Sequence, residues 1–214
     1  MSLKKSLLLV AIILIVDQLS KIYIKTNFTM NETVEVFSWF KFVFIENSGA
    51  AWGTKLSDFL PISEDTGKLI LTVFRLFAVV GIGYWLYDTV KKKLPKTLAI
   101  AVALIFAGAL GNIIDSVFYG VLFSESVYGG PIATMFSDQP YATLFHGKVV
   151  DMLHFPFIEN AIWPSWVPYF GGKTFSFFEP VFNIADMAIS TGVGILLVFN
   201  KKAFAKPETE VIED

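Results

Sequence analysis

The sequence contains no cysteine, which excludes disulfide bonds, cysteine nucleophiles and thiolate metal sites. Its two histidines, His146 and His154, lack the spacing of a histidine metal motif. Charge is also sparse, since 17% of the residues are charged, against about 25% in a typical soluble domain. The 17 basic and 19 acidic residues nearly balance and form no long basic block, so nucleic acid is not expected as a partner.

Hydrophobic residues, by contrast, make up 54% of the chain and concentrate in long runs that approach membrane-spanning length. The run that follows Lys4 and Lys5 lacks a small-residue cleavage pattern, so we interpret it as a retained helix and not as a signal peptide. We predict one integral membrane domain over residues 1–214, with transmembrane helices at about 6–24, 69–87, 98–119 and 182–199 and a disordered tail at 206–214.

The lysines indicate the orientation of these helices. They precede the first run, fill the loop between the second and third, and follow the fourth. The positive-inside rule therefore predicts cytoplasmic termini and two outer segments, at about 25–68 and 120–180. Residues 33–45 and 148–157 have the composition of strands, which predicts a small extracytoplasmic β-sheet. Residues 121–146 resemble a loop insertion, and the aromatic stretch 161–178 is predicted to be an interfacial helical or loop element.

Several polar residues lie inside or beside the apolar runs, where they are costly unless they face protein or water. Asp17 and Lys21 share a helix face, which indicates an internal ion pair or, alternatively, a binding site for a substrate headgroup. Asn112 and Asp115 also share a face and form either a structural polar contact or a site that positions a reacting group.

Asn183 and Asp186 lie on one face at the start of the last helix, where Asp186 could also simply compensate the helix dipole. Asp151, taken alone, could be a solvated residue at a strand end. Both aspartates, however, are predicted at the same outer membrane face. Two carboxyl groups that meet in a low-dielectric site would share one proton, as in an aspartic hydrolase. His154 is interpreted as an interfacial or hydrogen-bonded histidine and not as a base.

Five sequence blocks then resemble bacterial lipoprotein signal peptidase, the type II signal peptidase family. In chain order they are Asp17-Gln18-Leu19-Ser20-Lys21, Glu46-Asn47-Ser48-Gly49-Ala50-Ala51-Trp52-Gly53, Gly108-Ala109-Leu110-Gly111-Asn112-Ile113-Ile114-Asp115, Gly147-Lys148-Val149-Val150-Asp151-Met152 and Phe182-Asn183-Ile184-Ala185-Asp186. Each block is short, and it is their order on a four-helix frame that makes the resemblance specific.

The resemblance implies four transmembrane helices with an extracytoplasmic β-cradle, and an aspartic endopeptidase with Asp151 and Asp186 as its catalytic residues. It implies a prolipoprotein substrate with a diacylglyceryl cysteine, cleaved before that cysteine, in the lipid of the inner membrane. Globomycin, a cyclic depsipeptide, is the expected inhibitor, and no metal or cofactor is expected. The supporting site residues that we carry over are Asp17, Lys21, Asn47, Gly49, Asn112, Asp115, Asn183 and Ala185.

The residues alone are also compatible with two functions of other classes. A transporter or channel would also use intramembrane acids, although these acids gather at one face and no inverted repeat is evident. A non-enzymatic membrane scaffold would leave the paired outer aspartates unexplained.

The chain departs from the family pattern in two places. Ser116 stands where the family has an arginine after Asp115, and we hypothesise that Arg75 on the second helix supplies the missing positive charge. Residues 121–146 are longer than in most relatives and are expected to cap or enlarge the substrate groove.

Overall fold

The computed structural model describes residues 1–48 and 54–205. The predicted position Gly49 and the tail at 206–214 therefore lie outside the described residues. Six helices are present: α1 Leu3–Lys25, α2 Glu64–Lys91, α3 Lys96–Ile114, α4 Gly120–Leu122, α5 Ile184–Val198 and α6 Asn200–Ala203. A π-helical segment, Asp115–Tyr119, joins α3 to α4, and a 3₁₀ turn, Leu56–Asp58, precedes α2.

Three of the described helical segments are long and apolar enough to cross a membrane: Leu3–Lys25, Glu64–Lys91 and Lys96–Leu122. The fourth, α5, has 15 residues, which at 1.5 Å per residue is about 22 Å and shorter than a hydrocarbon core of about 30 Å. The chain turns at Phe199, and α6 follows directly. These helices, together with the small sheet, confirm the predicted membrane α-helical fold with a β-cradle.

The strands are β1 Thr33–Phe37, β2 Phe40–Asn47, β3 Val149–His154, β4 Ile158–Ile162, β5 Thr174–Phe177 and β6 Val181–Phe182. Four of them form an antiparallel sheet in the order β1-β2-β3-β6, which we call the cradle. In its centre Ile45 lies opposite Asp151, and Asn47 lies opposite Val149. Strand β6 leads directly into α5, so the cradle fixes where that helix begins.

The stretch at 161–178, predicted as an interfacial helical or loop element, forms most of a β-hairpin. Strands β4 and β5 pair with each other, and a long loop connects them. Pro164 and Pro168 in that loop cannot donate a backbone hydrogen bond, which disfavours a continuous helix. Trp163 stacks on Phe175 with ring centroids 4.4 Å apart, which holds the two ends of the loop together.

Small residues allow α3 and α5 to pack at close range. A Cβ atom at Gly108 would overlap the carbonyl oxygen of Ala185, and one at Gly192 would lie 2.6 Å from the carbonyl oxygen of Ala101. Interfaces of this kind let helix backbones approach in a membrane, where tight packing replaces the hydrophobic effect. The close approach places the start of α5 directly against the C-terminal half of α3.

We expect Gly108→Ala to destabilise this helix pair. The added methyl group must push α5 away from α3, and overpacking of this kind costs about 1–3 kcal/mol. Gly194→Ala on α5 is the matched control, because a Cβ there meets no atom within 4 Å. Thermal unfolding in detergent should show a lower midpoint for Gly108→Ala and an unchanged or higher one for Gly194→Ala. Equal midpoints would contradict the close packing.

Candidate functional site

Four elements bring polar side chains together at one end of the helix bundle. They are the second half of α1, the end of α3, the strand β3 and the first turn of α5. The residues that they contribute are Asp17, Gln18, Lys21, Asn112, Asp115, Asp151, Asn183, Ala185 and Asp186. Eight of the site residues predicted from the sequence are therefore joined in one hydrogen-bonded network, and Asn47 lines the cavities beside it.

Lys21 lies at the centre of the buried part of this network, and its side chain is fully buried. The Nζ atom lies 2.9 Å from Asp17 Oδ2 and 2.9 Å from Asp115 Oδ2, and it donates to Asn112 Oδ1 at 2.9 Å. The i,i+4 ion pair expected between Asp17 and Lys21 is thus present, and Asp115 shares the same cation. Three oxygen acceptors satisfy the three N–H groups of the ammonium ion, as a buried charge requires.

Asp17 also connects α1 to the start of α5. Its Oδ1 atom accepts a hydrogen bond from the backbone N–H of Ala185 at 2.8 Å. Ala185 therefore takes part through its backbone, and its completely buried side chain leaves room for α3 to pack against it. The interaction is favourable for a second reason, since a carboxylate at a helix N-terminus is stabilised by the helix dipole.

The first turn of α5 is closed by a reciprocal cap between Asn183 and Asp186. Asn183 Oδ1 accepts from the backbone N–H of Asp186 at 2.9 Å, and Asp186 Oδ2 accepts from the backbone N–H of Asn183 at 3.2 Å. Such a capping box satisfies two backbone donors that the helix itself leaves unpaired. The spacing of these two residues thus fixes the conformation of the Asp186 side chain.

Two carboxamides connect Asp186 to Asp151. Asn112 Nδ2 donates to Asp186 Oδ1 at 2.8 Å, and Asn183 Nδ2 donates to Asp151 Oδ1 at 2.7 Å. Asn183 Nδ2 also lies 3.1 Å from Asn112 Oδ1, so the two carboxamides contact each other. The bonds form a continuous path from Lys21 through Asn112 and Asn183 to both outer carboxyl groups.

Burial and the charge of Asp186 raise the pKa of Asp151 to about 7. Asp151 is 6% exposed, and desolvation in such a place disfavours the ionised carboxylate. The hydrogen bond from Asn183 and the charge of Lys21 act in the opposite direction but do not cancel the effect. The Asp151 carboxyl group can therefore hold a proton near neutral pH.

Two cavities adjoin this pair. One, of about 570 Å³, lies between α2, α3 and α5 and is lined by Asp186, Asp151 and Arg75 together with apolar side chains. The other, of about 640 Å³, lies between the cradle and the residues that follow β5, and it is also lined by Asp151. Asn47 lines both, so Asp151 and Asn47 lie where the cavity between the helices meets the cavity beside the cradle.

Arg75 does not face away from the polar residues. It lines the cavity that holds Asp186 and interacts electrostatically with Asp186. The positive charge beside Asp115, however, is that of Lys21, at 2.9 Å. Ser116 instead donates its hydroxyl to the carbonyl oxygen of Asn112 at 3.0 Å. The hypothesis that Arg75 compensates for Ser116 thus applies to Asp186, and Lys21 balances Asp115.

His154 lies at the far end of β3 from the network. It lines a separate cavity with Pro156 and Glu179 and is paired across the cradle with Lys41 and Val181. Burial lowers the pKa of its imidazole. His154 thus lies apart from the polar network, and its interpretation as an interfacial or hydrogen-bonded histidine stays a prediction.

Sequence reasoning missed two members of the network, Gln18 and Tyr119. Gln18 Nε2 donates to Asp115 Oδ1 at 2.9 Å and to Asp17 Oδ2 at 3.1 Å, and its Oε1 accepts from the hydroxyl group of Tyr119 at 3.2 Å. Gln18 is a polar residue within the apolar run of α1, and this polarity is a signal in the sequence that could have identified it as a network member. Tyr119 carried no such signal, because it belongs to the π-helical segment, which the sequence did not indicate.

The geometry suits acid–base chemistry on a polar bond. Asp151 can donate a proton, whereas the oxygens of Asp186 accept hydrogen bonds from Asn112 and from the backbone N–H of Asn183. A proton donor and a proton acceptor on neighbouring carboxyl groups are what general acid–base attack by water requires.

Comparisons with known proteins identify a peptidase family. A family model described as signal peptidase (SPase) II matches residues 9–201. A lipoprotein signal peptidase of Porphyromonas gingivalis is 46% identical over 193 residues, which cover 89% of this chain and 80% of that protein. One of Amoebophilus asiaticus is 30% identical over 197 residues, covering 90% and 76%. A solved bacterial membrane enzyme superposes with a TM-score of 0.57 at 26% identity, covering 98% of this chain and 95% of that one.

Proposed function

Because the chain belongs to the signal peptidase II family, we propose that Asp151 and Asp186 are its catalytic pair and that Asn112, Asn183 and Lys21 hold them in place. The observation that carries this proposal is the Asn112–Asn183 bridge, which ties both carboxyl groups into one buried network beside two cavities. Further contacts stabilise this bridge. Asp17 and Asp115 bind Lys21, and Asp17 accepts a hydrogen bond from the backbone N–H of Ala185.

The chain is a membrane-embedded aspartic endopeptidase that removes signal peptides from prolipoproteins. Membership of a peptidase family does not favour the transporter, channel or scaffold alternatives. The roles of individual residues, the exact bond and the binding modes are our proposals.

In the first step, the Asp186 carboxylate takes a proton from a water molecule whose oxygen attacks the carbonyl carbon of the scissile peptide bond. Asp151 gives its proton to the carbonyl oxygen, and a tetrahedral diol forms. In the second step, the diol collapses, the C–N bond breaks, Asp186 protonates the leaving amine and Asp151 recovers a proton from a diol hydroxyl group. No bond forms between protein and substrate, and the pair returns to its singly protonated state.

The two cavities suit different parts of the proposed substrate. The cavity between α2, α3 and α5 has apolar walls, such as Val79, Ile113 and Ile189, that suit a signal peptide and acyl chains entering from the lipid. The cavity beside the cradle suits the polar chain that follows the cleavage point. With the scissile carbonyl at Asp151, where the cavities meet, the cleaved bond would be the one before a diacylglyceryl cysteine.

The same placement supports the remaining expectations. Asn47, at the junction, would hold the peptide backbone, and globomycin would occupy the site in place of the substrate. The distribution of lysines supports an inner-membrane orientation with both termini in the cytoplasm and with the catalytic pair toward the outer face.

Activity should fall as the pH rises through about 7. The reaction needs one shared proton, and the pKa of Asp151 is raised to about 7 by burial and by Asp186, so the proton is present below that pH and lost above it. The measurement is kcat/KM for a diacylglyceryl-modified prolipoprotein between pH 5 and 9, with the cleavage point identified by mass spectrometry.

Histidine side chains in general change charge between about pH 5 and 8, so their contribution must be separated from that of Asp151. The double variant His146→Gln/His154→Gln is therefore the control, and it should keep the same decline, because neither residue belongs to the network. A decline that disappears in this variant would assign the proton to a histidine, and a flat profile in the wild-type protein would contradict a shared proton.

A further inference from the structure

A second buried cluster of charges lies behind the cradle. The side chains of Lys25, at the end of α1, and Glu46, on β2, are 0% and 1% exposed and form an ion pair. Ser126, from the loop at 121–146, donates to Glu46 Oε1 at 2.8 Å and accepts from Lys25 Nζ at 2.8 Å. This cluster thus joins three separate parts of the chain, and no step of the proposed reaction uses it.

The same loop also contacts the start of β3. The hydroxyl group of Tyr141 accepts a hydrogen bond from the backbone N–H of Lys148 at 2.8 Å. Lys148 Nζ lies 3.3 Å from Glu46 Oε2 and 5.3 Å from the centre of the Tyr141 ring. Lys25 Nζ lies 4.9 Å from the same ring centre, so one aromatic side chain contacts both cations. Lys148 is three residues before Asp151.

The register of the cradle connects this cluster to the catalytic pair. Ile45 lies opposite Asp151, Glu46 opposite Val150, and Asn47 opposite Val149. Residues directly opposite each other share a face of a sheet, and successive residues alternate between faces. Glu46 and Val150 therefore share one face of the cradle, which we call its back and where Glu46 pairs with Lys25, whereas Asn47 and Asp151 share the opposite face.

The back of the cradle is closed by the loop. Val150 packs in a buried apolar cluster with Phe44 from β2 and Phe123 from the loop, and all three side chains are completely buried. The backbone N–H of Tyr141 donates to the carbonyl oxygen of Phe123 at 3.0 Å, which folds the loop back on itself. The loop is thus a packed layer against which β2 and β3 rest.

We propose that residues 121–146 act as a brace that positions Asp151, with Ser126 and Tyr141 as positioning residues that fix β2 through Glu46 and β3 through Lys148. The inference goes beyond the proposed function and depends on it, because it takes Asp151 to be catalytic. The sequence predicts that this loop caps or enlarges the substrate groove. The contacts above instead place Phe123, Ser126 and Tyr141 against β2 and β3.

The brace resists movement because a buried ion pair is costly to separate. Glu46 and Lys25 cannot separate or move outward without leaving a charge unpaired in the interior, which is strongly unfavourable. The ion pair, Ser126 and the Tyr141 hydroxyl therefore hold the ends of β2 and β3 at one distance from α1. Catalytic carboxyl groups need such support, because a displacement of about 1 Å can cost about 100-fold in rate.

The test uses two substitutions in the full-length protein, Ser126→Ala and Tyr141→Phe. Each removes one hydroxyl group and leaves the charged side chains in place. We expect each to lower kcat by about 10-fold, since misplacement affects the chemical step, and to leave KM within about two-fold. The decline of activity with pH should also move to lower pH, because a displaced β3 exposes Asp151 and weakens the burial that keeps it protonated. Ser137→Ala is the matched control, since Ser137 lies in the same loop and its hydroxyl contacts only the exposed Gln139 among the hydrogen bonds described.

Three results separate the possibilities. Lower kcat with a displaced pH profile in both variants, and neither change in Ser137→Ala, supports the brace. A different result is a smaller active fraction, with the kcat and pH profile of each active molecule unchanged from wild type. That result means that the loop only stabilises the fold, and it overturns the proposal. Wild-type kinetics in both variants also overturns it, even if Asp151→Asn is inactive. An active Asp151→Asn would instead reject the catalytic assignment on which the brace depends.

Discussion

Asp151→Asn and Asp186→Asn each lower the turnover of a lipidated prolipoprotein at least about 100-fold, because loss of general acid–base catalysis typically costs 10²–10⁴-fold. Asparagine has nearly the size of aspartate but can neither release nor accept the proton that the reaction transfers. At position 186 its side-chain oxygen can still accept the hydrogen bond from the Asn183 backbone, so the cap of α5 persists. The variants should therefore fold and bind substrate while failing in the chemical step.

The measurement is single-turnover cleavage in detergent, without any ion gradient, followed by identification of the new N-terminus. Glu159→Gln is the control, because Glu159 is an acid of the outer region that pairs with Lys41 at the surface and lies outside the network. Globomycin should protect the substrate in the wild-type protein and in the control. Wild-type turnover in either asparagine variant would reject the catalytic pair.

Lys21→Met should prevent the protein from folding stably. The change leaves Asp17 and Asp115 buried without their shared cation, and breaking a buried ion pair by removing one partner costs about 3–5 kcal/mol. That cost is a large fraction of the total stability of a typical protein. We expect a large loss of monodisperse protein in size-exclusion chromatography and a strongly lowered thermal midpoint.

If unpaired charge causes this loss of stability, a second result is expected. Adding Asp17→Asn and Asp115→Asn to Lys21→Met removes the unpaired charges, so the triple variant should recover a good part of the folded fraction. Lys92→Met is the matched control, since Lys92 forms an exposed i,i+4 pair with Asp88, and such surface pairs contribute little. A triple variant as unstable as Lys21→Met alone would show that the ammonium group acts through packing or hydrogen bonds and not through its charge.

Local spacing predicted the parts of the site that depend on one helix or one turn. The four-residue separation of Asp17 and Lys21 predicted their ion pair, and the three-residue separation of Asn183 and Asp186 placed both on one face of α5. The apolar runs predicted the helices because membrane-spanning length is a strong constraint. The positive-inside rule predicted Asp151 and Asp186 at the same membrane face, and the family resemblance then implied that they are the catalytic residues.

Contacts between distant segments were not predictable in this way. Lys25 continues the face of Asp17 and Lys21 at the same four-residue spacing, yet nothing in the sequence indicates that its partners are Glu46 and Ser126. The β4–β5 hairpin was missed because the aromatic residues of 161–178 fit an interfacial element as well as paired strands. Both depend on tertiary pairing, for which a single sequence has no direct signal.

The cap at the start of α5 has an evolutionary consequence. Asp186 has two duties, since the carboxyl group proposed to accept the proton from water also closes the first turn of a helix. Selection for the amount of folded protein alone would therefore preserve an acid at position 186, even in a descendant that no longer cleaves a substrate. Asp151 bears no such helix-capping duty, and its burial with a raised pKa makes it the residue that drift would remove first once the reaction ceased to matter. The pair would thus decay unequally in a lineage that lost its substrate.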